Sequence, residues 1–394
     1  MKDRLLHTPE GVRDIYNSEC RKKHLLEQNL KEVMHSYGFE DIETPTFEFF
    51  EIFSAERGTV KAKDMYKFFD REGNTLVLRP DITPAIARCA AKYYSGESMP
   101  IRLCYCENTF INSSEYQLKQ KEVTQIGCEL INDAGVTADA EVIAVTVESL
   151  LKSGLTEFRL DIGDVRFFKA LISEAGFDEE KTEVLRHLII DKNTFGLEDF
   201  LKSESLSEEL KVIFTRLPQL FGSFDKLEEI RRLTGNSDAL AAIDHLVKLY
   251  DMIKIYGYEK YIGFDLGMLS KYSYYTGIIF QAFTYGIGEP VATGGRYDKL
   301  VGQFGKNAAA VGAAIITDRI MMALQRQGIS SNVENRIVIV CAKPENVKEA
   351  VKKCIELRKT GKNVISFVED DLSDEKLAQI SKDKINYEIV KVNV

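Results

Sequence analysis

The chain has 394 residues, 44% of them hydrophobic, which is enough to bury a large core and build two or three domains. A formal charge of −9, from 61 acidic against 52 basic residues, excludes a strong nonspecific binder of the phosphate backbone, which needs a basic surface. The seven cysteines are odd in number and scattered, and they show no zinc spacing, so neither a disulfide framework nor a metal site is expected. The sequence shows no apolar leader and no run of about 18 apolar residues, which favours a cytoplasmic protein that does not span a membrane.

The first third of the chain alternates helix and strand signals. Helical spacing of apolar residues predicts an opening helix over about 17–36, with Gly38 placed to end it. TPTFEFFEIF follows as an extended segment, in which Pro45 removes a backbone donor and favours a sheet edge or an interface. LVLRPDITPAIARCAAKYY predicts a strand to Arg79 and then a helix with Thr83 as its N-cap.

The remaining elements divide the chain into parts. IRLCYCENTF and KQKEVTQIGCELI alternate like two antiparallel strands, and further strands downstream predict a mainly antiparallel sheet interleaved with helices over residues 1–325. Leucine-rich helical patterns with hardly any strand signal predict a helical insertion at about 170–256. The polar residues 326–335 are expected to form a linker, and 336–394 to form a small βαβαβ module.

The turn LRPDIT carries the first candidate site residues, Asp81 and Thr83. A carboxylate beside a helix N-terminus can hold an ammonium group through a charge-assisted hydrogen bond. The alternative is that both side chains only cap the helix that follows.

The strand TQIGCELI carries the second set. Gln125, Gly127 and Glu129 fall on one face at period two. This face can present an amide and a carboxylate to one ligand, with Gly127 leaving room for it. Taken alone, the pattern fits an ordinary solvated strand face equally well.

Tyrosines in YSYYTGIIF and ATGGRYDKL form the third set. Tyr275 and Tyr297 are the best candidates to line a pocket, with Tyr274 beside them. If this segment is a strand, adjacent tyrosines face opposite sides, and one of the pair belongs to the core.

In this order and spacing, the three blocks resemble the catalytic core of class II histidyl-tRNA synthetases, over roughly residues 8–325. The resemblance implies an α+β fold, with an antiparallel sheet flanked by helices, a helical insertion and a C-terminal α/β module like a truncated anticodon-binding domain. It also implies a histidine pocket made by the matching residues, Asp81, Thr83, Gln125, Glu129, Tyr274, Tyr275 and Tyr297.

The chain departs from that family where ATP chemistry takes place. Ile111 and Ser113 match an arginine and a glutamate of the synthetases, Ser270 matches a second arginine, and Ser273 matches an aspartate. Losing two cationic donors would slow amino-acid activation by about 10,000 to 1,000,000-fold if the effects add. No catalytic residue is therefore expected. Loss of the second arginine leaves the carboxylate of histidine without its partner. Arg79 and Arg296 are conceivable substitutes, but the favoured interpretation of each is a structural salt-bridge partner.

A retained histidine pocket beside a dismantled ATP site resembles the regulatory-subunit family of ATP phosphoribosyltransferase. That resemblance implies a non-catalytic chain without a cofactor, which acts with the short-form catalytic subunit at the first step of histidine biosynthesis. It further implies a hetero-oligomer containing a homodimer, formed in part by the segment around Pro45, and L-histidine as feedback effector.

Two alternatives stay open from the sequence. One is a working histidyl-tRNA synthetase, which Ile111, Ser113 and Ser270 disfavour. The other is a stand-alone histidine sensor or RNA-binding paralogue. From Arg336 onward there are twelve basic and ten acidic residues with no dense basic stripe, so tRNA binding is not expected.

Overall fold

A computed structural model describes residues 3–54, 60–112, 120–269, 274–329, 337–381 and 387–392. The chain folds into two compact units, one of Met1–Asp14 with Leu26–Ile329 and one of Ile15–Leu25 with Ser330–Val394. Most of the predicted linker lies outside the described residues. Within those ranges, none of the helices combines the length and the apolar character needed to cross a membrane.

The helices in the described ranges are α1 (Asn17–Ser36), α2 (Thr83–Tyr93), α3 (Val136–Lys152), α4 (Val165–Ala175), α5 (Glu179–Ile190), α6 (Thr194–Ser203), α7 (Glu208–Arg216), α8 (Asp225–Arg231), α9 (Ser237–Tyr256), α10 (Thr317–Arg326), α11 (Val347–Lys359) and α12 (Asp374–Ser381). The opening helix has the bounds predicted from its apolar spacing. It buries Leu26, Leu30, Val33 and Met34, and Gly38 after it has a φ of 79°, a backbone conformation that favours glycine.

The strands are β1 (Glu40–Asp41), β2 (Phe47–Phe49), β3 (Lys67–Phe69), β4 (Thr75–Leu78), β5 (Ile101–Phe110), β6 (Glu122–Ile131), β7 (Phe158–Asp164), β8 (Phe221–Gly222), β9 (Ile262–Asp265), β10 (Ile278–Thr284), β11 (Ala292–Arg296), β12 (Ala310–Ile316), β13 (Ile337–Ala342), β14 (Asn363–Val368) and β15 (Tyr387–Val392). Strands β5 and β6 form the antiparallel pair predicted from their alternation.

A nine-stranded sheet forms the centre of the first unit, in the order β1-β5-β6-β12-β11-β10-β7-β9-β8. Its pairs are antiparallel except β1 with β5 and β7 with β9, which are parallel, so the expected mainly antiparallel sheet is confirmed. Strand β12 pairs with both β6 and β11. This arrangement brings TQIGCELI and ATGGRYDKL, which are far apart in the chain, to the two strands on either side of β12.

A second, three-stranded sheet of the first unit has the order β2-β4-β3. The segment TPTFEFFEIF is not extended throughout, because β2 ends at Phe49 and a short 3-10 helix covers Phe50–Ile52. Its alternation leaves Phe47 and Phe49 in solvent, 53% and 52% exposed, and Phe68 of β3, 37% exposed, packs against Phe47 on the same face of the sheet. These three residues are called the aromatic patch below.

The segment with leucine-rich patterns contains the helices α4 to α9, with the short strand β8 among them. Buried leucines of α5 to α9 pack into the same hydrophobic core as α3 and the large sheet. In the second unit, β13 pairs in parallel with β14 and β15. Helix α11 packs on one face of this sheet and α12 on the other, as a βαβαβ pattern requires.

Candidate functional site

All seven residues proposed from the sequence line one pocket of the first unit. Its described lining consists of Asp81, Thr83, Gln125, Glu129, Tyr274, Tyr275 and Tyr297, together with Val60, Pro80, Ile111, Thr293, Gly294, Gly295, Gly312, Ala313 and Ala314. The pocket lies over β6, β12 and β11, and the turn before α2 forms part of its rim. Three blocks that are separate in the sequence therefore meet at one place.

The turn that carries Asp81 is held by a buried arginine. Arg79 is 5% exposed, and its Nη1 lies 2.8 Å from Oε2 of Glu107. The same guanidinium donates to the backbone oxygens of Thr44 and Asn108, both at 2.7 Å. Arg79 is thus a structural residue that fixes the start of the turn, and it is not placed among the pocket-lining side chains.

Thr83 does not cap α2, contrary to the sequence prediction. It is the first residue of the helix, and its hydroxyl donates to Oε1 of Glu129 at 2.9 Å. Asp81 accepts the backbone N–H of Ile82 at 2.7 Å. The alternative that both residues serve only as caps is wrong for Thr83, because its side chain is used across the pocket.

Glu129 is the buried acidic residue of the pocket, with 1% of its surface exposed. Its Oε2 accepts the Tyr297 hydroxyl at 2.5 Å, while Oε1 accepts Thr83. Burial raises the pKa of Glu129 from 4.5 to about 8, although the two hydrogen bonds act in the opposite direction. Because this pKa lies close to neutral pH, a small change in pH or in the surroundings of Glu129 shifts the carboxyl between its protonated and ionised forms.

Glycines make room for these side chains. A Cβ at Gly312, the register partner of Glu129, would lie 1.6 Å from Glu129 Oε2, and one at Gly295 would lie 2.7 Å from the Tyr275 ring. Real side chains do not approach that closely. Gly312 and Gly295 are therefore required by space, because their backbone conformations do not need glycine.

Tyr274 and Tyr275 precede β10, so neither lies on the strand that the sequence predicted for them. Their ring centroids are 4.7 Å apart, and the ring of Tyr274 meets that of Tyr297 edge-on at 6.1 Å. Both neighbours line the pocket. The expectation that one of them faces the opposite side is wrong, because it depended on strand geometry.

Charge in the pocket is one-sided. Asp81 and Glu129 carry carboxylates, and no cationic side chain is present among the lining residues that the structure describes. Ile111, which the sequence resemblance matches to an arginine of the synthetases, lies in the lining. Ser113, Ser270 and Ser273 lie outside the described residues.

Arg296, the other conceivable partner for a carboxylate, belongs to a buried network that the sequence did not reveal. Its Nε and Nη2 lie 2.9 and 2.7 Å from Oδ1 of Asp139, and its Nη1 lies 3.1 Å from Asp298. The other oxygen of Asp139 lies 2.9 Å from Nε2 of His245. This network links β11, α3 and α9 and fixes the backbone next to Tyr297, so Arg296 is a structural residue.

Comparison with known proteins identifies relatives over most of the chain. The family model described as histidyl-tRNA synthetase matches residues 11–320. The ATP phosphoribosyltransferase regulatory subunit of Acetivibrio thermocellus is 40% identical over 90% of this chain and 85% of its own length. The protein of the same name from Clostridium acetobutylicum is 36% identical over 94% of this chain and 91% of its own.

Solved structures agree with this relationship. An ATP phosphoribosyltransferase regulatory subunit/histidyl-tRNA synthetase from Bacillus halodurans is similar with a TM-score of 0.85, at 30% identity and 99% coverage of both chains. A histidyl-tRNA synthetase from a Nostoc species has a TM-score of 0.82 at 21% identity, covering 98% of this chain and 92% of its own, and supports the fold alone. The predicted class II synthetase-like fold is confirmed, and the chain belongs to the family of non-catalytic ATP phosphoribosyltransferase regulatory subunits.

Proposed function

We propose that this regulatory subunit binds L-histidine in the described pocket and transmits feedback to a short-form ATP phosphoribosyltransferase catalytic subunit at the first step of histidine biosynthesis. The observation that carries the proposal is the placement of Glu129. It is buried between the hydroxyls of Thr83 and Tyr297 in a pocket that also contains Ile111. The pocket thus retains polar groups for an amino acid at a position where a catalytic cation is missing.

The chemistry of the lining suits histidine. Each carboxylate oxygen of Glu129 has a second acceptor site beyond the hydroxyl that it already binds, so the carboxylate can also accept an imidazole N–H. Asp81 offers a carboxylate for the α-ammonium group. Tyr274 and Tyr275 supply aromatic surface for a planar ring.

The same lining is unsuited to ATP. A nucleotide triphosphate is strongly anionic, and activation of an amino acid needs preorganised positive donors at the α-phosphate. The described lining provides two carboxylates and Ile111 instead. This contrast favours a binding role over the alternative of a histidyl-tRNA synthetase, which histidine-dependent exchange of pyrophosphate with ATP would support.

Feedback requires that histidine bind one assembly state more tightly than another, because a ligand with equal affinity for both shifts nothing. Allosteric couplings are typically about 1 to 3 kcal/mol, which corresponds to about 5 to 150-fold in affinity. Linkage is reciprocal. If histidine changes the affinity between the two subunits by a given factor, the catalytic subunit should change the histidine affinity of this chain by the same factor.

Calorimetric titration of the purified chain tests histidine binding directly. L-histidine should bind saturably, and histidinol and histamine, which lack the carboxylate, measure what that group contributes. Gly312→Ala should abolish binding because its Cβ overlaps the place of Glu129, whereas Gly288→Ala, with open space around it, should bind normally. Absence of wild-type binding would refute the sensor role.

The second test uses the complete enzyme. Adding this chain to a short-form catalytic subunit should increase phosphoribosyl transfer, and L-histidine should then lower the rate. Gly312→Ala should retain activation and lose sensitivity to histidine. Activation that responds equally to histidine in both variants would place the effector outside this pocket.

We also propose that two copies of the chain associate through the aromatic patch on the β2-β4-β3 sheet. Large aromatic groups grouped in solvent are unusual for a monomer, and Phe47, the most exposed of the three, is 53% exposed. A two-fold contact would bury the same patch on both copies.

Phe47→Asp should therefore shift the chain alone from dimer toward monomer in size-exclusion chromatography with light scattering. Phe195→Asp is a matched control, because Phe195 is 75% exposed and lies on α6, away from the patch. An unchanged mass for Phe47→Asp, or an equal shift for both variants, would contradict this interface.

A further inference from the structure

A tyrosine one strand away from the predicted set has a hydroxyl that the interior does not satisfy. Tyr105 lies on β5 and is 1% exposed. Its hydroxyl oxygen has no hydrogen-bond partner among the residues that the structure describes. Buried polar groups are nearly always paired in native proteins, so an exception of this kind needs an explanation.

The position of this hydroxyl follows from the strand register. Tyr105 pairs with Gly127 of β6, and a Cβ built on Gly127 would lie 2.4 Å from the Tyr105 hydroxyl oxygen. The phenol thus occupies the space that a side chain at position 127 would fill. Gln125 and Glu129 flank Gly127 on the same face of β6, and both line the pocket. The hydroxyl therefore lies over Gly127 between these two side chains, and Tyr105 itself is not among the described lining residues of the pocket.

The electrostatic surroundings agree with this placement. Burial raises the pKa of Tyr105 well above its ordinary value, and the nearby carboxylates of Glu129 and Asp81 raise it further. The phenol consequently keeps its proton and is available as a donor at physiological pH. Tyr297 has a buried hydroxyl of the same kind, but it is already bound to Glu129.

We propose that Tyr105 is a further ligand-binding residue of this pocket, whose hydroxyl donates a hydrogen bond to the ring end of the bound ligand beside Glu129. The inference rests on the proposed histidine site. In a neutral imidazole one nitrogen donates and the other accepts. Glu129 accepts a hydrogen bond from the nitrogen that carries the proton, and the Tyr105 hydroxyl donates one to the other nitrogen. The two residues together therefore select a ring that has both kinds of nitrogen.

Tyr105→Phe removes only the hydroxyl and separates this role from a structural one. Without ligand, the variant should unfold at a temperature equal to or higher than that of wild type without ligand, because it lacks the unpaired buried hydroxyl. Its affinity for L-histidine should fall about 3 to 10-fold, as expected for one neutral hydrogen bond. Histidinol, which keeps the ring and lacks the carboxylate, should weaken by the same factor.

Tyr37→Phe is the matched control. The Tyr37 hydroxyl donates to Glu148 at 2.8 Å away from the pocket, so this variant should lose stability and bind histidine normally. A lower unfolding temperature for empty Tyr105→Phe, or unchanged histidine affinity while wild type binds, would overturn the role of Tyr105 and leave the histidine site standing. Failure of wild type to bind histidine would overturn both.

Discussion

Replacing Asp139 with alanine should lower the free energy of unfolding by about 3 to 5 kcal/mol, because it leaves the buried Arg296 guanidinium without its main counter-charge. Asp139 is completely buried, while Arg296 is 5% exposed. Asp298 remains 3.1 Å from the guanidinium, which should place the loss toward the lower end of that range. Urea unfolding followed by circular dichroism measures it.

Two further variants separate the effect of the charge from that of the cavity. Asp139→Ala combined with Arg296→Met should recover part of the loss, since no buried charge is then left uncompensated. His245→Ala should cost less than Asp139→Ala, because the His245 side chain is 20% exposed and can be solvated. If the double variant were less stable than Asp139→Ala, the assigned cause would be wrong.

The empty wild-type protein should become less stable as the pH rises from about 5 to about 8.5, relative to its Glu129→Gln variant. The folded-state pKa of Glu129 is about 8, against an ordinary value of 4.5. The stability due to its bound proton is therefore fully present below about 4.5 and is lost as the pH rises through about 8. Each pKa unit corresponds to about 1.4 kcal/mol, so the difference should reach several kcal/mol.

Urea unfolding of both proteins at three pH values in this window provides the measurement. The difference between wild type and Glu129→Gln is the quantity of interest, because the titration of all other groups cancels in it. Glutamine keeps the size of the side chain; its oxygen can accept one of the two hydroxyls, and its amide nitrogen can donate to the oxygen of the other. Parallel stability curves for the two proteins would show that the Glu129 carboxyl is not shifted by burial.

The parts of the site that follow local periodicity could be predicted from sequence. Alternation in TQIGCELI was sufficient to place Gln125, Gly127 and Glu129 on one face, because a strand has a period of two residues. The opening helix likewise followed from its apolar spacing. Tyr274 was misplaced because aromatic runs suit strands, whereas the strand starts only at Ile278.

Contacts between distant segments could not be predicted in this way. Asp139, His245 and Arg296 meet through three elements, and nothing in the residues around any of them indicates the other two. The importance of Tyr105 depends on its register with Gly127, which is set by the whole β5-β6 pair. Once the strand pairing is known, one signal would have suggested the role of Tyr105: it faces Gly127 across the strands, and the polar residues Gln125 and Glu129 flank that glycine.

The register of β6 with β12 also determines when the pocket can first exist. Glu129 faces Gly312 across these strands, yet about 180 residues separate them along the chain. At roughly 5 to 20 residues per second, a ribosome needs about 10 to 40 seconds to progress from one to the other. During that interval β6 has a partner in β5 but none on its other edge, and an open edge invites wrong pairing. A nascent chain that ends before Ala310 is therefore expected to bind no histidine and to depend on chaperones, however well its first strands have folded.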